Sequence, residues 1–528
     1  MSVILSAATF LPPFSPSWIL AALLFISAFF FLRRPPKRKI RIPSPPTLPL
    51  IGNLHQLGPL AHRSMRTLSA KHGPVMLLYF GPIPTVVVSS PAAAEDVMKT
   101  NDHAFSSRPD TSLADRLFYG ARDIALSKYG EYWRRVRRIC VVHLLSPKRV
   151  HSFRFVRAEE ASRLVSTVRC ACAASSPVNV TELISAFTCD VLCRVLFGKK
   201  GEGGGRAELS LHTHVVEAVG GSFPMRDFSP WLAWLDWLSG LDAKVKKASS
   251  DFDAFVEKIL KSANKEHESD RIIFSDDHDA RRTDMVDVLL SLRNDSSDSL
   301  SRESIKAVIL DMFTAGTDTT NTTIDWAMAE LIRHPKTMAK AQEEIRQIVG
   351  WKEEVGEETV QGMPYLKAVI KETLRLHPPA PILFPRESME DARVLGYHVP
   401  KGTRMVVNAW AIGRDPASWE EAEEFRPERF LNSKSFDFKG LDFEFIPFGS
   451  GRRGCPGIDF AIVTTGLALA TLLYHFDWEL PEGVKEEEMD MTESPGFSLK
   501  RKSNLILISD QSVDLSRLRI SYPVGLLT

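Results

Sequence analysis

The chain has 528 residues, 66 lysines and arginines against 65 aspartates and glutamates, and a formal net charge of +1. With 25% charged and 44% hydrophobic residues it has the composition of a globular protein, which excludes a disordered chain and gives no support to a nucleic-acid partner. Six cysteines in this length are too sparse for a disulfide scaffold, and no repeat or long interior linker divides the chain, so one large domain is expected after the N-terminal segment.

Trp18 to Leu32 is almost wholly apolar, with looser apolar sequence back to Phe10. The uninterrupted run is short against the ~20 residues that cross a bilayer. A cleaved signal peptide is the competing reading, but no basic stretch precedes the run and no small-x-small site follows it. Instead come Arg33, Arg34, Lys37, Arg38, Lys39 and Arg41. Positive charge there holds the downstream side in the cytosol, so residues 1–32 read as a transmembrane signal anchor. Residues 33–50 are basic and proline-rich; proline fixes φ, which makes this a stiff, extended hinge. In a cytosolic domain the sequons at Asn179, Asn294 and Asn321 are chance matches. The large domain is expected over residues 51–508, and the tail, 509–528, suggests no role.

Within the domain, Met76–Phe80 and Thr85–Ser89 read as a hairpin around Gly81-Pro82. In Trp133-Arg-Arg-Val-Arg137, Trp133 and Arg137 share a helix face and Arg134, Arg135 and Arg138 point elsewhere, by default into solvent. Cys189 and Cys193 have i,i+4 spacing in apolar sequence and, with Cys140, Cys170 and Cys172, read as buried thiols. A long helix is expected from Ser304 to Arg333, stopped by His334-Pro335. Inside it, Ala315-Gly-Thr-Asp-Thr-Thr320 goes against local preference, since glycine costs about 1 kcal/mol relative to alanine. Such inconsistency is typical of a working site. A helical wheel puts Ala315, Asp318 and Thr319 near Asp311 and Met312; the plainer alternative is a helix with a back-bonded threonine. Glu372 and Arg375 share a helix face, ordinarily a surface ion pair. Thr403–Val407 and Asn504–Ile508 are strand candidates, and Glu486–Glu488 a solvated loop. The whole reads as mainly α with small β-sheets.

The strongest signal is Phe448-Gly-Ser-Gly451-Arg-Arg453-Gly-Cys455-Pro-Gly457, followed by an apolar helix over Phe460–Leu473. Glycines let backbone N–H groups approach a buried sulfur. A Gly-rich loop with a buried thiol explains the glycines but not Phe, Arg and Cys at these offsets. The segment resembles the haem-binding loop F-x-x-G-x-R-x-C-x-G of the cytochrome P-450 superfamily at every fixed position, and the chain from the anchor to about residue 508 resembles its plant-type branch. Phe460, where many relatives carry leucine, is a small departure.

The resemblance implies the P-450 haem-thiolate fold, haem b with Cys455 as axial ligand of the iron, and Trp133, Arg137, Arg386, Phe448 and Arg453 around the cofactor. It makes Glu372, Arg375 and Arg429 (in Pro427-Glu-Arg-Phe430) a structural triad. It also makes Asp318 and Thr319 an acid–alcohol pair that delivers protons, on a helix distorted to admit dioxygen. The substrate pocket would take in the segment Phe105–Leu126 together with Met312, Phe313, Thr314, Ala315, Ala380, Ile382, Leu383 and Phe497, a mostly apolar set that suits a small lipophilic plant metabolite. The implied reaction is RH + O2 + two electrons + two protons → ROH + H2O. No flavin or dinucleotide module is seen, so electrons would come from NADPH through a separate NADPH-cytochrome P-450 reductase, and Arg134, Arg135 and Arg138 would form its docking face. The expected location is the endoplasmic reticulum membrane, single-pass, with the catalytic domain cytosolic. Two alternatives stay open: a dehydratase or isomerase on the same fold, such as an aldoxime dehydratase, and a haem-binding sensor without turnover.

Overall fold

The computed structural model describes residues 42–511 apart from 199–205, 221–223, 229–231, 271–283, 294–299, 351–353, 432–435 and 497. The expected anchor, the basic half of the hinge, most of the tail, Asn294 and Phe497 lie outside the described residues. The second half of the hinge does not behave as a free spacer. Ile42 is buried, and Pro43 accepts a hydrogen bond from Leu77 N at 2.8 Å, because the extended backbone that proline imposes can lie alongside a strand.

Nine strands form three small sheets among the described residues. β1 (Val75–Phe80), β2 (Ile83–Val88), β7 (Arg404–Val407) and β4 (Arg386–Glu387) make one, in the order β1-β2-β7-β4. β3 (Val178–Asn179), β9 (Ile506–Gln511) and β8 (Phe476–Glu479) make the second, and β5 (Ala392–Val394) with β6 (Tyr397–Val399) the third. The expected β1–β2 hairpin turns at Gly81, whose φ of +61° suits a residue without Cβ. The last strand starts two residues later and ends three later than the pattern suggested, because its register pairs Ile508 with Glu479 and Gln511 with Phe476.

Helices supply the rest. Those that build the site are α1 (Glu131–Ile139), α2 (Val180–Phe197), α3 (Arg206–Gly220), α4 (Ala233–Leu238), α5 (Arg302–Arg333), α6 (Pro364–Leu376) and α7 (Ile458–His475). Ser301 Oγ caps α5 by accepting from Ser304 N at 3.1 Å, and His334, pushed out of helical geometry by Pro335, ends it. From Ser304 to Ile332 nearly every α5 side chain is buried, so this is the central helix of the core. α7 is long and apolar enough to cross a membrane by length and composition, but 72% of it is buried inside the protein, which marks a core helix.

Two expectations need correction. Cys140, Cys189 and Cys193 are buried as expected, but Cys170 is exposed and Cys172 half-buried, because they sit near the end of the helix Arg154–Ala173, where its last turn meets solvent. Glu486–Glu488 is exposed but forms a short 3-10 turn. The sequon at Asn321 is closed to glycosylation in the fold: its side chain is buried and its Nδ2 donates to Ser185 Oγ at 2.7 Å.

Candidate functional site

The loop before α7 is held by its own backbone. Cys455 N donates to Phe448 O at 2.9 Å, Gly454 N to Gly451 O at 3.0 Å, and Gly449 N to Ile446 O at 3.0 Å. Gly451 has φ +69°, and a Cβ there would stand 2.4 Å from both Met98 O and Asp102 Oδ1. Its glycine serves the close packing of the loop on the Asp96–Asp102 segment, not the approach to sulfur. Among the described residues, Gly457 N is the backbone donor that reaches Cys455 Sγ, at 3.4 Å. Burial pushes the thiol's pKa up; that N–H and the nearby Arg137 guanidinium pull it back. The Cys455 side chain is nonetheless partly open.

Around this loop the fold gathers four guanidinium groups, two buried (Arg108, Arg386) and two half-buried (Arg137, Arg453). Arg137 Nη2 donates to Gly454 O at 2.6 Å. Arg453 donates to the carbonyls of Ser106, Ile124 and Ser127 and stacks on Trp133, its Cζ 4.1 Å from the ring centroid. Trp133 Nε1 donates to the same Ile124 carbonyl at 3.0 Å. Arg386 donates to Ser450 O and, at longer range, to Phe105 O and Asp102. Arg108, which the sequence did not single out, is also buried and donates to the carbonyls of Ala125, Phe384 and Pro385. Burial, then repulsion from Arg386, holds the Arg453 pKa down at about 9, and burial with repulsion from Arg453 and Arg386 lowers Arg108 well below its usual value. The buried carboxylates nearest this cluster are Asp102 and Asp123, the second itself pushed up to about 6 by burial. Four guanidinium groups thus face two acids, one of them easily protonated. This is a local excess of positive charge in a low-dielectric place, which an anionic group would relieve.

On α5 the expected common face divides. Ala315 is exposed and Thr319 half-buried, although Thr314, Thr317 and Asp318 are buried, so the helix borders an open space at those two residues. Thr319 Oγ1 donates to Ala315 O at 2.7 Å. Asp318 turns away from them, fully buried, into an ion pair with Lys500. Asp311 accepts from Ile124 N at 2.6 Å and Ala125 N at 3.3 Å, tying α5 to the loop whose carbonyls hold Arg453. α5 runs through this stretch as one helix, without the expected distortion.

The residues expected in the pocket also separate. Ala380, Ile382 and Leu383 are half-buried, and Leu383 Cδ1 would lie 3.7 Å from a Cβ on Gly449, beside the cysteine loop. Met312 is 9% exposed, and Thr314 is back-bonded to Leu310 O. Phe313 belongs to the core instead: it is fully buried among Phe197, Phe252, Phe255 and the ring of His212. Phe448 is half-buried and meets Phe438 edge-on at 5.9 Å.

Glu372 and Arg375 are each fully buried and joined by two bonds, Nε to Oε2 at 2.7 Å and Nη2 to Oε1 at 2.8 Å. Arg429 Nε and Arg426 N share Glu372 Oε1 at 3.0 and 2.8 Å. The remaining Arg375 donors reach the carbonyls of Gly413, Ala422 and Glu424. Every charge is answered, so the cluster clamps three stretches of chain together.

Residues 42–508 match the family Cytochrome P450. The chain belongs to the cytochrome P450 family. It is 49% identical to "Cytochrome P450 71A1" of Persea americana over 93% of this chain and 99% of that one. It is 46% identical to a "Norfluorocurarine oxidase" of a Strychnos species over 93% of this chain and 96% of the other. Among solved structures, a zebra fish cytochrome P450 with abiraterone is similar at TM-score 0.72 and 26% identity, covering 86% of this chain and 99% of that one.

The chain is therefore a plant A-type cytochrome P450 monooxygenase, using haem b and electrons from NADPH through a reductase. The residues fit that cofactor on three observations: the partly open Cys455 thiol, the surplus of buried and half-buried guanidinium groups suited to propionates, and the small residue Ala315 at the open edge of α5. When bound, haem b supplies reductive activation of dioxygen, with a thiolate ligand that pushes electron density toward the iron. Cys455 would be the ligand, and Arg137, Arg386, Arg453 and Arg108 would hold the propionates. Its relatives point to oxidation of specialised metabolites.

Proposed function

We propose that this cytochrome P450 hydroxylates a small lipophilic plant metabolite, with Cys455 as axial ligand and with Asp318 and Thr319 conducting protons. The observation that carries this reading is the open edge of α5, where Ala315 is exposed and Thr319 half-buried on a helix whose other residues nearby are mostly buried. An apolar lining sets size and shape, not identity; the Strychnos relative, an oxidase by name, is in keeping with such a substrate.

The proposal includes an N-terminal anchor (residues 1–32), a hinge (33–50), a catalytic domain (51–508) facing the cytosol at the endoplasmic reticulum, and a tail (509–528). An exposed apolar patch supports membrane contact. On α4, Trp234, Trp237 and Leu238 are 58%, 73% and 66% exposed. Asp236 ties α4 to Met225 and Arg226, and Phe228 meets Gly81 beside Leu50, itself exposed along with Leu48 and Ile51. Large apolar side chains clustered this way suit a lipid surface. Of the arginines expected to form a docking face, Arg134 and Arg138 are exposed and Arg135 is half-buried; they lie on α1, which meets the cysteine loop through Arg137, and suit an acidic reductase surface.

The test is the reduced protein under CO, expected to absorb near ~450 nm as a thiolate-ligated haem does, followed by product formation with a lipophilic library, the reductase, NADPH and O2. Turnover without NADPH and O2 would replace this reading with a dehydratase or isomerase. In sealed microsomes, added protease should digest the domain; protection would reverse the orientation.

A further inference from the structure

Two aspartates far apart in the chain meet where α5 packs against the loop before α1. Asp311, on α5, is 7% exposed, and Asp123, on the loop, is fully buried. Asp311 Oδ2 accepts from Ile124 N at 2.6 Å and Ala125 N at 3.3 Å, the two residues that follow Asp123. Asp123 Oδ2 accepts from Leu126 N at 2.9 Å. Asp123 Oδ1 has no donor among the described residues, yet the two side chains stand within hydrogen-bond reach of each other. Ionised carboxylates have no hydrogen to offer. Two carboxyl groups that meet out of water cannot both ionise, so one proton stays between them.

The surroundings agree with that geometry. Burial raises the Asp311 carboxyl well above its ordinary value and the charge of Asp123 raises it further, while the N–H groups of Ile124 and Ala125 pull it back. Burial raises Asp123 too, against Leu126 N–H and the charges of Arg108 and Arg453. Facing the pair from α1 and the turn after it are the Tyr132 hydroxyl and the Cys140 thiol, both pushed up by burial and so neutral at physiological pH. The pair titrates as a unit.

What the pair fastens is the stretch whose carbonyls aim the cofactor-side groups. Ile124 O accepts from Trp133 Nε1 at 3.0 Å and from Arg453 Nη1 at 3.2 Å. Ala125 O accepts from Arg108 Nε at 2.8 Å, and Ser127 O from Arg453 Nη2 at 2.6 Å. We propose that Asp123 and Asp311 share one proton and act together as positioning residues: the protonated pair pins residues 123–127 to α5 and so holds Arg108, Arg453 and Trp133 in the orientation that grips the anionic groups of the cofactor. The inference rests on reading those arginines as the propionate holders.

Folding then binds a proton that the unfolded chain releases near the ordinary aspartate value of ~3.9. The stability this gives is full in acid and is lost as pH rises through the pair's raised value in the fold. Above it, two negative charges face each other and the loop loosens from α5.

The experiment uses the haem-loaded full chain and follows haem transfer to excess apomyoglobin from about pH 6 to about pH 9, where release by the parent should quicken by up to roughly tenfold per pH unit, the limit for one proton. In Asp311→Asn the amide oxygen still accepts from the loop and its NH2 donates to Asp123 with no proton required. Release from Asp311→Asn, and from Asp123→Asn, should therefore stay slow and lose the slope, whereas Asp311→Ala should release haem quickly at every pH. Glu482→Gln, at an exposed acid, should keep the parent slope. The infrared spectrum of the parent at neutral pH should carry the carbonyl band of a protonated carboxylic acid, shifted in D2O and diminished in either Asn variant; this reading on the parent stands even if a variant does not accumulate. A parent without that band, or Asn variants that keep the parent slope, would overturn the shared proton. An acid band lost in the Asn variants while haem release by the parent ignores pH would overturn its link to the cofactor. Arg453→Gln and Arg108→Gln proteins that both keep haem as firmly as the parent would overturn the reading of the arginines on which this one rests.

Discussion

Gly316 on α5 stands against Leu192 on α2: a Cβ at Gly316 would lie 2.9 Å from Leu192 Cδ2 and 3.2 Å from Cδ1. The glycine that looked like a helix distortion is the point where two core helices meet. Gly316→Ala recovers about 1 kcal/mol of helix preference but pushes into a packed leucine, and overpacking costs about 1–3 kcal/mol. A modest net loss of stability is expected, with a Tm lower by a few degrees. Adding Leu192→Ala should make the two changes strongly non-additive, as neighbours in contact are. A Gly316→Ala protein more stable than the parent would mean that Leu192 turns aside freely.

Cys455→Ala removes the thiolate while leaving the buried guanidinium cluster in place. Some haem should still be retained, with the band near ~450 nm under CO lost and NADPH-dependent product formation abolished. Full activity in that variant would move the metal ligand elsewhere in the chain.

Arg375→Ala leaves Glu372 buried with only Arg429 and Arg426 N to answer it, and leaves the carbonyls of Gly413 and Ala422 without donors. Breaking such a buried pair from one side costs about 3–5 kcal/mol. Poor accumulation and poor haem incorporation are expected, with no change in which ligands bind the fraction that folds. A soluble, haem-replete Arg375→Ala protein with parent spectra would contradict a structural role.

What the sequence made legible was chemistry carried at short spacing. Cys455 with Arg453 and Phe448, and Glu372 with Arg375, are recognisable because a loop or one helical turn sets their relation. The hairpin and the long α5 were readable because Gly81 and Pro335 punctuate them. What was not legible depends on residues far apart in the chain. A helical wheel cannot show that Asp318 is drawn to Lys500, that Phe313 turns into an aromatic core, or that Gly316 answers Leu192. Arg108 carries no motif of its own; only the folded chain brings it beside Arg386 and Arg453. The half of the hinge from Ile42 looked like a spacer because its prolines are extended, and that same extension lets it pair with β1.

Thr319→Ala bears most directly on mechanism. The Thr319 hydroxyl donates to Ala315 O at 2.7 Å, a carbonyl one turn back, and it sits at the open edge of the helix. Losing that bond should cost little stability, since a back-bonded threonine adds little to a helix, so folding, haem content and ligand-induced spectral shifts should match the parent. If the hydroxyl also conducts protons, NADPH will still be consumed, but hydrogen peroxide will be released in place of product. Product per NADPH should then fall by up to ~10²–10⁴-fold, and by less where water substitutes. Thr319→Ser keeps the hydroxyl and should recover much of the coupling, whereas Thr319→Val keeps the shape and should not. A Thr319→Ala enzyme that makes product one for one with NADPH would reduce Thr319 to a helix residue bonded to its own backbone.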